Sequence, residues 1–476
     1  MSNEIELVKI NDNMWEIPKT GTMNVPGRIF ASESLLEKIK NDRSLEQVKN
    51  MASLPGIYKY AIGLPDIHQG YGFSIGGVAA LDAEEGGISP GGVGYDINCG
   101  VRLLRTDIQY DELKTNDIKK LIDNIFIKVP AGVGKGKANI TNSQLDDILE
   151  NGSKWALENN FAEKEDIEHT EDLGTLAGNP EKVSDNAKVR GRPQLGSLGS
   201  GNHFLEIQKV DSIFDENVAK TFGLEQGQIV IMIHCGSRGL GHQVASDYLR
   251  LIDKEYKDII EKLPDRQLMY APALSSLADD YTEAMQAAAN FAFVNRQLIA
   301  YNTREAIHEL FPDAKVKQVY DVCHNIAKIE HHKIDNELKK VIVHRKGATR
   351  SIPKNHPLVP EAYKSVGQPV IIPGSMGTAS YVLVGSQTAL DLTFGSTAHG
   401  AGRVMSRTKA LKLFTSNEIK SQLHSQHIYI KGHSVKGIVE EAPQTYKNVD
   451  DVVEVSHNSG IGFKVARMVP LGVLKG

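Results

Sequence analysis

Residues 229–242 have the sequence IVIMIHCGSRGLGH, in which His234 follows an unbroken apolar run and comes just before a glycine-rich turn. An apolar run of this kind, closed by glycines, predicts a buried β-strand that ends near His234. The same pattern predicts further strands at residues 316–323, 340–344, 369–372 and 381–384. Strands from distant parts of the chain therefore form the framework of the predicted fold.

Helical patterns are fewer and do not alternate with the strands. They cover residues 44–54, 110–128 and an Ala-rich stretch at roughly 281–311. A doubly wound parallel sheet needs a regular strand–helix–strand order, which is missing here. The chain also lacks internal repeats and Ser/Pro-rich linkers. We therefore predict an α+β fold, with one large irregular mixed-sheet domain over residues 1–476 and helices around it.

The composition is that of an ordinary globular protein, with 41% hydrophobic and 24% charged residues among 476. No run of about 18 apolar residues is present, so we expect no membrane span and a cytoplasmic protein. Three cysteines are too few for a disulfide framework. We expect them to be reduced thiols that pack or bind metal.

The net charge of −5 is unusual for a protein that binds nucleic acid. Residues 141–185 contain twelve Asp and Glu but only three Lys, a net −9, so the rest of the chain carries +4. This acidic segment predicts a peripheral insertion, and a basic groove elsewhere remains compatible with it. Overall charge therefore neither favours nor excludes nucleic-acid binding.

Five residues with metal-ligating side chains lie where strands give way to turns. Asp96 and Cys99 are three positions apart in GGVGYDINCG, His203 follows the glycines of LGSLGSGNHFLEI, and His234 and His324 each end an apolar run. Each one alone is more often structural. Together they suit a transition metal, because thiolate and imidazole disfavour magnesium and calcium sites. If one thiolate were shared, these five residues could hold two ions. The general affinity order of divalent metals favours zinc over manganese, but the residue types alone do not identify the metal.

A histidine in DLTFGSTAHGAGRVMSR, His399, is a candidate nucleophile. The glycines after it expose backbone N–H groups and permit close approach of a phosphate. Arg403 and Arg407 can neutralise phosphoryl charge, and a neutral imidazole can attack phosphorus. The alternative is a glycine-rich loop that carries a surface histidine.

Two other features suit a nucleotide or a polynucleotide. The turn from Pro373 to Ser380 lies between two predicted strands and could contact a base or a ribose, although it also fits an ordinary hairpin. The basic segments KVRGR (188–192) and HRKGATR (344–350) could line a phosphate path. Clusters of this kind are otherwise solvated surface.

These motifs together resemble the RtcB family of RNA-splicing ligases. The matching runs are Asp96-Ile-Asn-Cys-Gly100, Gly201-Asn-His-Phe204, His234-Cys-Gly-Ser-Arg-Gly239, Cys323-His-Asn325, His344-Arg-Lys-Gly-Ala-Thr-Arg350 and His399-Gly-Ala-Gly-Arg403. The resemblance extends from Leu64 to Gly476, apart from residues 134–190. It implies the family's single-domain α/β arrangement.

The resemblance implies a GTP-dependent 3′-phosphate/5′-hydroxyl RNA ligase that uses two Mn²⁺ ions. In that family a histidine at the position of His399 attacks GTP and becomes a histidine–GMP phosphoramidate. The guanylate passes to an RNA 3′-phosphate and is displaced by a 5′-hydroxyl, while 2′,3′-cyclic phosphate ends are first hydrolysed to 3′-phosphates. The usual substrates are tRNA halves from splicing, and archease, a small activating protein, is a common partner.

The resemblance also implies roles for individual residues. Catalytic roles fall on His399, Asp66 and Arg403. One metal ion would be held by Asp96, Cys99 and His203, and the other by Cys99, His234 and His324. GTP contacts fall on Asn202, His203, Phe204, Leu205, Glu206, His324, Asn325, Pro373, Gly374, Ser375, Met376, Ser380, His399, Gly400, Ala401, Gly402, Tyr446 and Lys475. From their charge, and not from the resemblance, RNA contacts are expected at Arg190, Arg192, Arg238, Arg345, Lys346, Arg350 and Arg407.

Two other functions use many of the same residues. A metal-dependent phosphoesterase acting on cyclic phosphates needs the ligand set but neither GTP nor a covalent histidine. A metal-stabilised RNA-binding module needs closed metal coordination and a basic surface. Guanylate that stays with the denatured protein would discriminate the ligase from both.

Overall fold

The computed structural model of this protein describes residues 5–114, 116–132, 136 and 138–476. The strands are β1 Val8–Asn11, β2 Met14–Ile17, β3 Gly27–Phe30, β4 Ala61–His68, β5 Ile75–Asp82, β6 Gly87–Ile88, β7 Gly100–Gln109, β8 Phe204–Ile213, β9 Gln228–Cys235, β10 Ala271–Pro272, β11 Val316–Cys323, β12 Asn325–Ile334, β13 Glu337–Lys346, β14 Ala348–Arg350, β15 Pro369–Ile372, β16 Ser380–Val384, β17 Ser396–Ala398, β18 Tyr429–Gly432 and β19 Phe463–Lys475.

The α-helices are α1 Glu33–Ile39, α2 Ser44–Met51, α3 Asp117–Lys128, α4 Asn142–Asn151, α5 Ser153–Glu158, α6 Lys164–Glu168, α7 Asp185–Gly191, α8 Glu216–Phe222, α9 Arg238–Glu255, α10 Lys257–Ile260, α11 Ser276–His308, α12 Gln387–Thr393, α13 Arg407–Leu413, α14 Ser416–Ser425, α15 Val435–Glu440 and α16 Val449–Asn458. None of these helices combines the length and the apolar content needed to cross a lipid bilayer.

Two large sheets organise the described part of the chain. The first has seven strands in the order β1-β2-β3-β4-β5-β13-β12. The second has the order β11-β7-β9-β8-β19-β16-β15, and β18 also pairs with β19. Most neighbours are antiparallel, but β3 with β4 and β18 with β19 are parallel. The prediction of an α+β fold with mixed sheets built from distant segments is therefore confirmed.

The predicted strands correspond to β9, β11, β13, β15 and β16, and the three predicted helices contain α2, α3 and most of α11. Sequence patterns missed β12, β19 and α9. Strand β12 carries alternating charged residues, and β19 contains Pro470 and Gly472, which interrupt its apolar pattern. Helix α9 begins inside the glycine-rich run after His234, which the sequence indicated only as a turn.

Helix α11 lies in the interior of the molecule. Its 33 residues include a continuous buried stretch from Ala287 to Ala300. Its apolar side chains pack with those of α4 and α9 in one cluster, and Ile299, Ala300 and others join the apolar face of β8 and β9 in a second. Because every residue of this central stretch is buried, α11 shows little amphipathic periodicity there. It also places polar residues of α11 directly behind the second sheet.

The acidic segment 141–185 contributes both surface and interior. Leu145 and Trp155 of α4 and α5 are buried against α11. Asp166 is buried and forms an ion pair with Arg304 at 2.6 Å. Its acidic residues are therefore not all on a solvated surface, because some of them neutralise buried cations.

Candidate metal centre and active-site pocket

One edge of the second sheet gathers the candidate ligands. Cys99 immediately precedes β7, His203 precedes β8, His234 is near the end of β9, and His324 follows β11. Antiparallel pairing aligns these ends, since Gly100 lies opposite both Cys235 and Cys323, and Phe204 lies opposite His234. The start of one strand and the end of its neighbour therefore meet at the same edge.

The donor atoms at this edge form two groups that share one sulfur. Asp96, Cys99 and His203 form the first, and Cys99, His234 and His324 form the second, with the donor atoms of each group within 4.8 Å of one another. The Cys99 Sγ lies 3.5 Å from His203 Nε2 and 3.3 Å from His234 Nε2. The Nε2 atoms of His234 and His324 are 3.3 Å apart.

The chemistry of this donor set fits transition-metal ions. Burial lowers the pKa values of His234 and His324 well below the usual range, so both rings are neutral and can offer a lone pair. Burial, with a contribution from Asp96, raises the pKa of the Cys99 thiol to about 12. A bound cation would reverse that preference and favour the thiolate. Thiolate, imidazole and carboxylate in one buried cluster are therefore compatible with metal binding.

The sulfur atoms of the other two cysteines lie outside both donor groups. Cys323 is buried in the apolar cluster around α11. Cys235 accepts a hydrogen bond from Asn295 Nδ2 at 3.1 Å, and its Sγ lies 3.7 Å from Nδ1 of His203, on the ring edge opposite Asp96. Cys323 thus packs away from the donors, whereas Cys235 also supports a candidate ligand from behind.

A single buried guanidinium joins the segments that carry three of the candidate ligands. Arg296 of α11 donates to the backbone oxygen of Asn98 at 2.7 Å and to that of Cys235 at 3.0 Å. It also donates to both carboxylate oxygens of Asp321, on the strand that leads to His324. The sequence motifs did not indicate Arg296, because a helical arginine carries no local signal of its buried partners.

His399 is held beside the cluster by Asp66. It follows the short strand β17, and its ring centroid lies 4.8 Å from that of His324. Oδ2 of the fully buried Asp66 lies 2.5 Å from His399 Nδ1 and accepts the backbone N–H of His399 at 2.9 Å. A carboxylate at Nδ1 favours the tautomer with the proton on Nδ1, which leaves the lone pair on Nε2.

The charge on Asp66 is maintained inside the protein. Burial alone would raise the pKa of this carboxyl, but the His399 ring and its hydrogen bonds hold the pKa below its usual value. The same carboxylate reaches the backbone N–H of Gly400 at 3.3 Å. Asp66 thus orients both the ring and the glycine-rich loop that follows it.

A cavity of about 360 Å³ opens above the cluster and His399. Most predicted GTP contacts line it, namely Asn202, Phe204, His324, Asn325, Pro373, Gly374, Ser375, Met376, His399, Gly400, Ala401, Gly402, Tyr446 and Lys475. Four do not. The Leu205 side chain packs in the apolar core, and His203 belongs to the donor group beside the cavity. Glu206 and Ser380 lie one layer behind, each bonded to Gln208.

The far end of the cavity is built around Glu441, which the sequence motifs did not indicate. This buried carboxylate accepts from Arg403 at 3.1 Å and from Arg407 at 3.2 Å, and the Tyr446 hydroxyl also donates to it. Lys475 donates to the His203 backbone oxygen at 3.0 Å. Burial lowers the pKa of Lys475 to about 8. Arg403 thus faces the cavity while being tied to Glu441.

The basic residues expected to contact RNA lie in different parts of the structure. Arg190, Arg238 and Arg407 line a second cavity of about 520 Å³ that adjoins Asp96 and His203. Lys346 lines the first cavity and donates to the backbone oxygen of Phe73 at 3.1 Å, and burial lowers its pKa to about 7. Arg192 is exposed and lines neither of these two cavities.

The expectation that Arg345 and Arg350 line a phosphate path does not fit their positions. Both are 1% exposed. Arg345 pairs with Glu330 at 2.5 Å, and Arg350 pairs with Asp172 at 2.8 Å. Their guanidinium groups neutralise buried carboxylates and cannot serve as a solvent-facing phosphate path.

The chain matches known proteins over nearly its whole length. A family model described as tRNA-splicing ligase RtcB matches residues 47–476. A protein named tRNA-splicing ligase RtcB from Thermococcus kodakarensis is 53% identical over 483 aligned positions that cover all of both chains. Proteins of the same name from Methanococcus maripaludis and Archaeoglobus fulgidus are each 50% identical, and the alignments cover 99% and 100% of the chains. From the extent of the family match and these identities, the chain belongs to the RtcB family.

Proposed function

We propose that this protein is a GTP-dependent RNA ligase that joins RNA 3′-phosphate or 2′,3′-cyclic phosphate ends to 5′-hydroxyl ends in tRNA splicing and RNA repair. The relatives are named tRNA-splicing ligases, which supports an RNA-joining activity. The observation that carries the finer proposal is the position of His399. Its ring packs against His324 of the candidate metal cluster and is oriented by a buried carboxylate.

The proposed reaction begins at His399 Nε2. With the proton held on Nδ1 by Asp66, the Nε2 lone pair attacks the α-phosphorus of GTP. A P–N bond forms, the bond to the bridging oxygen breaks, and pyrophosphate leaves. The glycine-rich loop at residues 400–402 and Arg403 line the same cavity, and the Arg403 guanidinium can stabilise phosphoryl charge.

Two transfers complete the proposed reaction. An oxygen of the RNA 3′-phosphate attacks the guanylate phosphorus, so the P–N bond breaks and His399 is regenerated. The 5′-hydroxyl of the second RNA then attacks the RNA 3′-phosphorus, GMP leaves, and a phosphodiester forms. A cyclic phosphate end is first opened by water to give the 3′-phosphate.

Two Mn²⁺ ions are the proposed cofactors. Asp96, Cys99 and His203 would hold one and Cys99, His234 and His324 the other, with the thiolate shared. When bound, the ions would supply Lewis-acid stabilisation of phosphoryl charge. The lowered pKa values of the His234 and His324 rings keep them in the ligating, neutral form.

Guanine would bind at the Glu441 end of the cavity. Lys475, once protonated, can donate to the O6 acceptor of guanine, whereas adenine presents a donor amine at that position. Pro373 to Met376 would contact the base or ribose, and Tyr446 would close the site from the side. RNA strands would enter through the second cavity, with Arg190, Arg238 and Arg407 facing phosphates and archease as the expected activator.

Covalent labelling tests this proposal. The wild-type protein is incubated with Mn²⁺ and α-labelled GTP or ATP and analysed on a denaturing gel. We expect label from GTP only, lost on mild acid treatment because a histidine phosphoramidate is acid-labile, and absent from His399→Ala. Label that persists in His399→Ala would move the nucleophile elsewhere. An unlabelled wild-type protein that still opens cyclic phosphates would favour the phosphoesterase.

A further inference from the structure

Three flat side chains form a row at the mouth of the active-site cavity. Tyr95 and His242 are stacked, with ring centroids 4.9 Å apart and planes inclined by 26°. Tyr71 contacts Tyr95 edge-on, with ring centroids 5.8 Å apart. The two tyrosines are half-buried and His242 is exposed. The row therefore ends in a histidine ring that stacks on Tyr95 and is exposed to solvent.

The row stands where three cavities meet. Tyr71 and Tyr95 line the active-site cavity, and both also line a neighbouring groove of about 730 Å³. His242 lines the second cavity together with Arg190 and Arg238. An RNA strand that runs from the second cavity toward the metal cluster along Asp96 passes close to this row, because Asp96 follows Tyr95 directly and lines both cavities.

We infer that His242, backed by Tyr95, is a stacking platform for a base of a single-stranded RNA end bound in the second cavity. This inference rests on the proposed function and adds the way in which the RNA end is positioned. Aromatic rings beside a cationic groove are the usual means of holding single strands without regard to sequence. A ligase that joins many different ends needs this tolerance.

The charges of the second cavity suit the phosphate backbone of the same RNA strand. Arg190, Arg238, Arg407 and Lys436 line it, against the carboxylates of Asp96 and Glu440. Arg190 and His242 line this cavity together, and Arg190 is near enough that its charge, after burial, helps to lower the pKa of His242. A strand can thus place a phosphate on Arg190 and the adjoining base on His242. The groove beyond Tyr71 is less suited, since Asp253 and Asp265 balance its Arg250 and Arg266.

Simple packing would explain Tyr71 and Tyr95, which contact the apolar cluster around α11. It does not explain His242, whose ring adds no apolar core and remains exposed. The informative variants are therefore His242→Ala, which removes the platform, and His242→Phe, which keeps a flat ring. Arg190→Gln serves as the matched electrostatic control.

Binding of short RNAs tests the inference without any catalytic step. The experiment has two arms, one with ten-nucleotide single strands that carry a 5′-hydroxyl end and one with strands that carry a 3′-phosphate end. In each arm an abasic site replaces each of the three terminal bases in turn. Fluorescence anisotropy with Mn²⁺ and without GTP gives the affinity at several salt concentrations. Thermal unfolding verifies that each variant is folded.

In at least one arm, one abasic position should weaken wild-type binding by about five- to a hundred-fold, the range for a lost base–aromatic stack. His242→Ala should show the same loss with the intact RNA and no further loss with the abasic RNA. His242→Phe should bind like the wild type. The salt dependence should be unchanged in His242→Ala and shallower in Arg190→Gln.

Equal abasic penalties in the wild type and His242→Ala, in both arms, would overturn the stacking platform. The same holds if His242→Ala binds intact RNA as tightly as the wild type does. If the wild type binds neither RNA, the proposed function fails as well. If the wild type binds and ligates RNA while His242→Ala binds RNA with unchanged affinity, only the stacking inference fails.

Discussion

At the scale of single residues, Cys99 holds a position that no other cysteine of the described chain shares. Its sulfur belongs to both donor groups, so its loss would disturb both proposed ions. Cys99→Ala should lose most bound metal and all ligation. Cys235→Ala and Cys323→Ala should retain both, at a packing cost of about 1 kcal/mol.

Metal-to-protein ratios measured beside ligation decide the matter for all three variants. A Cys99→Ala protein with its full metal content would refute the shared-thiolate assignment. So would the loss of metal from Cys323→Ala. A small decrease in Cys235→Ala would be consistent with the contact between its sulfur and His203.

The pairing of Asp66 with His399 makes a second prediction. Asp66→Asn keeps the side-chain shape but presents an amide to Nδ1, so the ring can turn or adopt the other tautomer. We expect guanylylation to slow by roughly 10²- to 10⁴-fold, as for other acids that orient a catalytic histidine. Metal content should not change, because Asp66 is outside both donor groups. A labelling rate close to that of the wild type would show that the carboxylate is dispensable.

At the scale of elements, the burial of α11 behind the second sheet leads to a prediction about Arg296. Its guanidinium contacts the backbone next to Cys99 and next to His234, and the carboxylate of Asp321. Arg296→Met should lower metal affinity by about 10- to 100-fold, the range for residues that orient ligands. Arg296→Lys should recover only part of it, because an ammonium cannot span three segments in one plane.

Arg102→Met is the matched control for this effect. Arg102 is equally buried and donates to the same Asp321 at 2.7 Å, but its other partner is Gln297 and not the backbone beside Cys99 or His234. Calorimetric metal titration and thermal unfolding separate affinity from stability. Equal losses of metal affinity in Arg296→Met and Arg102→Met would reduce Arg296 to a general stabilising role.

Elements differ in how far their sequence predicts them. Strand β9 is apolar throughout and ends in glycines, so its local pattern is sufficient. Strand β12 carries charges on one face, and the arrangement of its Glu330 with Arg345 of β13 becomes apparent only when the two strands pair. Helix α11 is largely apolar in its central part, which indicates burial but not which of its polar residues lies beside the candidate metal centre.

At the scale of the whole molecule, buried ion pairs make stability depend on pH. Burial by itself would raise the pKa of Glu330, but Arg345 and His332 hold it well below its ordinary value of 4.5. A carboxyl with a depressed folded-state pKa contributes stability above 4.5, and this contribution is lost as the pH falls. Asp166 and Glu171 are shifted in the same direction. The free energy of unfolding should therefore fall steeply between about pH 5 and pH 3.

Glu330→Gln tests this contribution. The variant is expected to lose several kcal/mol at neutral pH, because Arg345 remains buried without its partner. Its unfolding free energy should then fall less steeply with acid, by up to about 1.4 kcal/mol per pH unit. The exposed Glu37, paired with the exposed Lys40, provides the control Glu37→Gln, whose slope should match the wild type. Parallel slopes in wild type and Glu330→Gln would contradict the role of this pair.

The sequence indicated the residue types of the candidate metal centre and the candidate nucleophile. Histidines that end apolar strands, an Asp and a Cys three apart, and a histidine before glycines are local features, so local patterns reveal them. Only the tertiary structure decided how they meet. The order of β11, β7, β9 and β8 brings four strand ends to one edge, and Asp66 reaches His399 across 333 positions of chain.

The same distinction explains the residues that were missed or misplaced. Arg345 and Arg350 have the composition of a basic surface, and their burial depends on carboxylates that arrive from Glu330 and from residues 171–172. Glu441 and Arg296 belong to no motif, and most of their partners lie 25 or more positions away in the chain. Local sequence specifies which side chains are available, whereas long-range pairing of strands and helices specifies which charges are buried together, because burial depends on all neighbours in space.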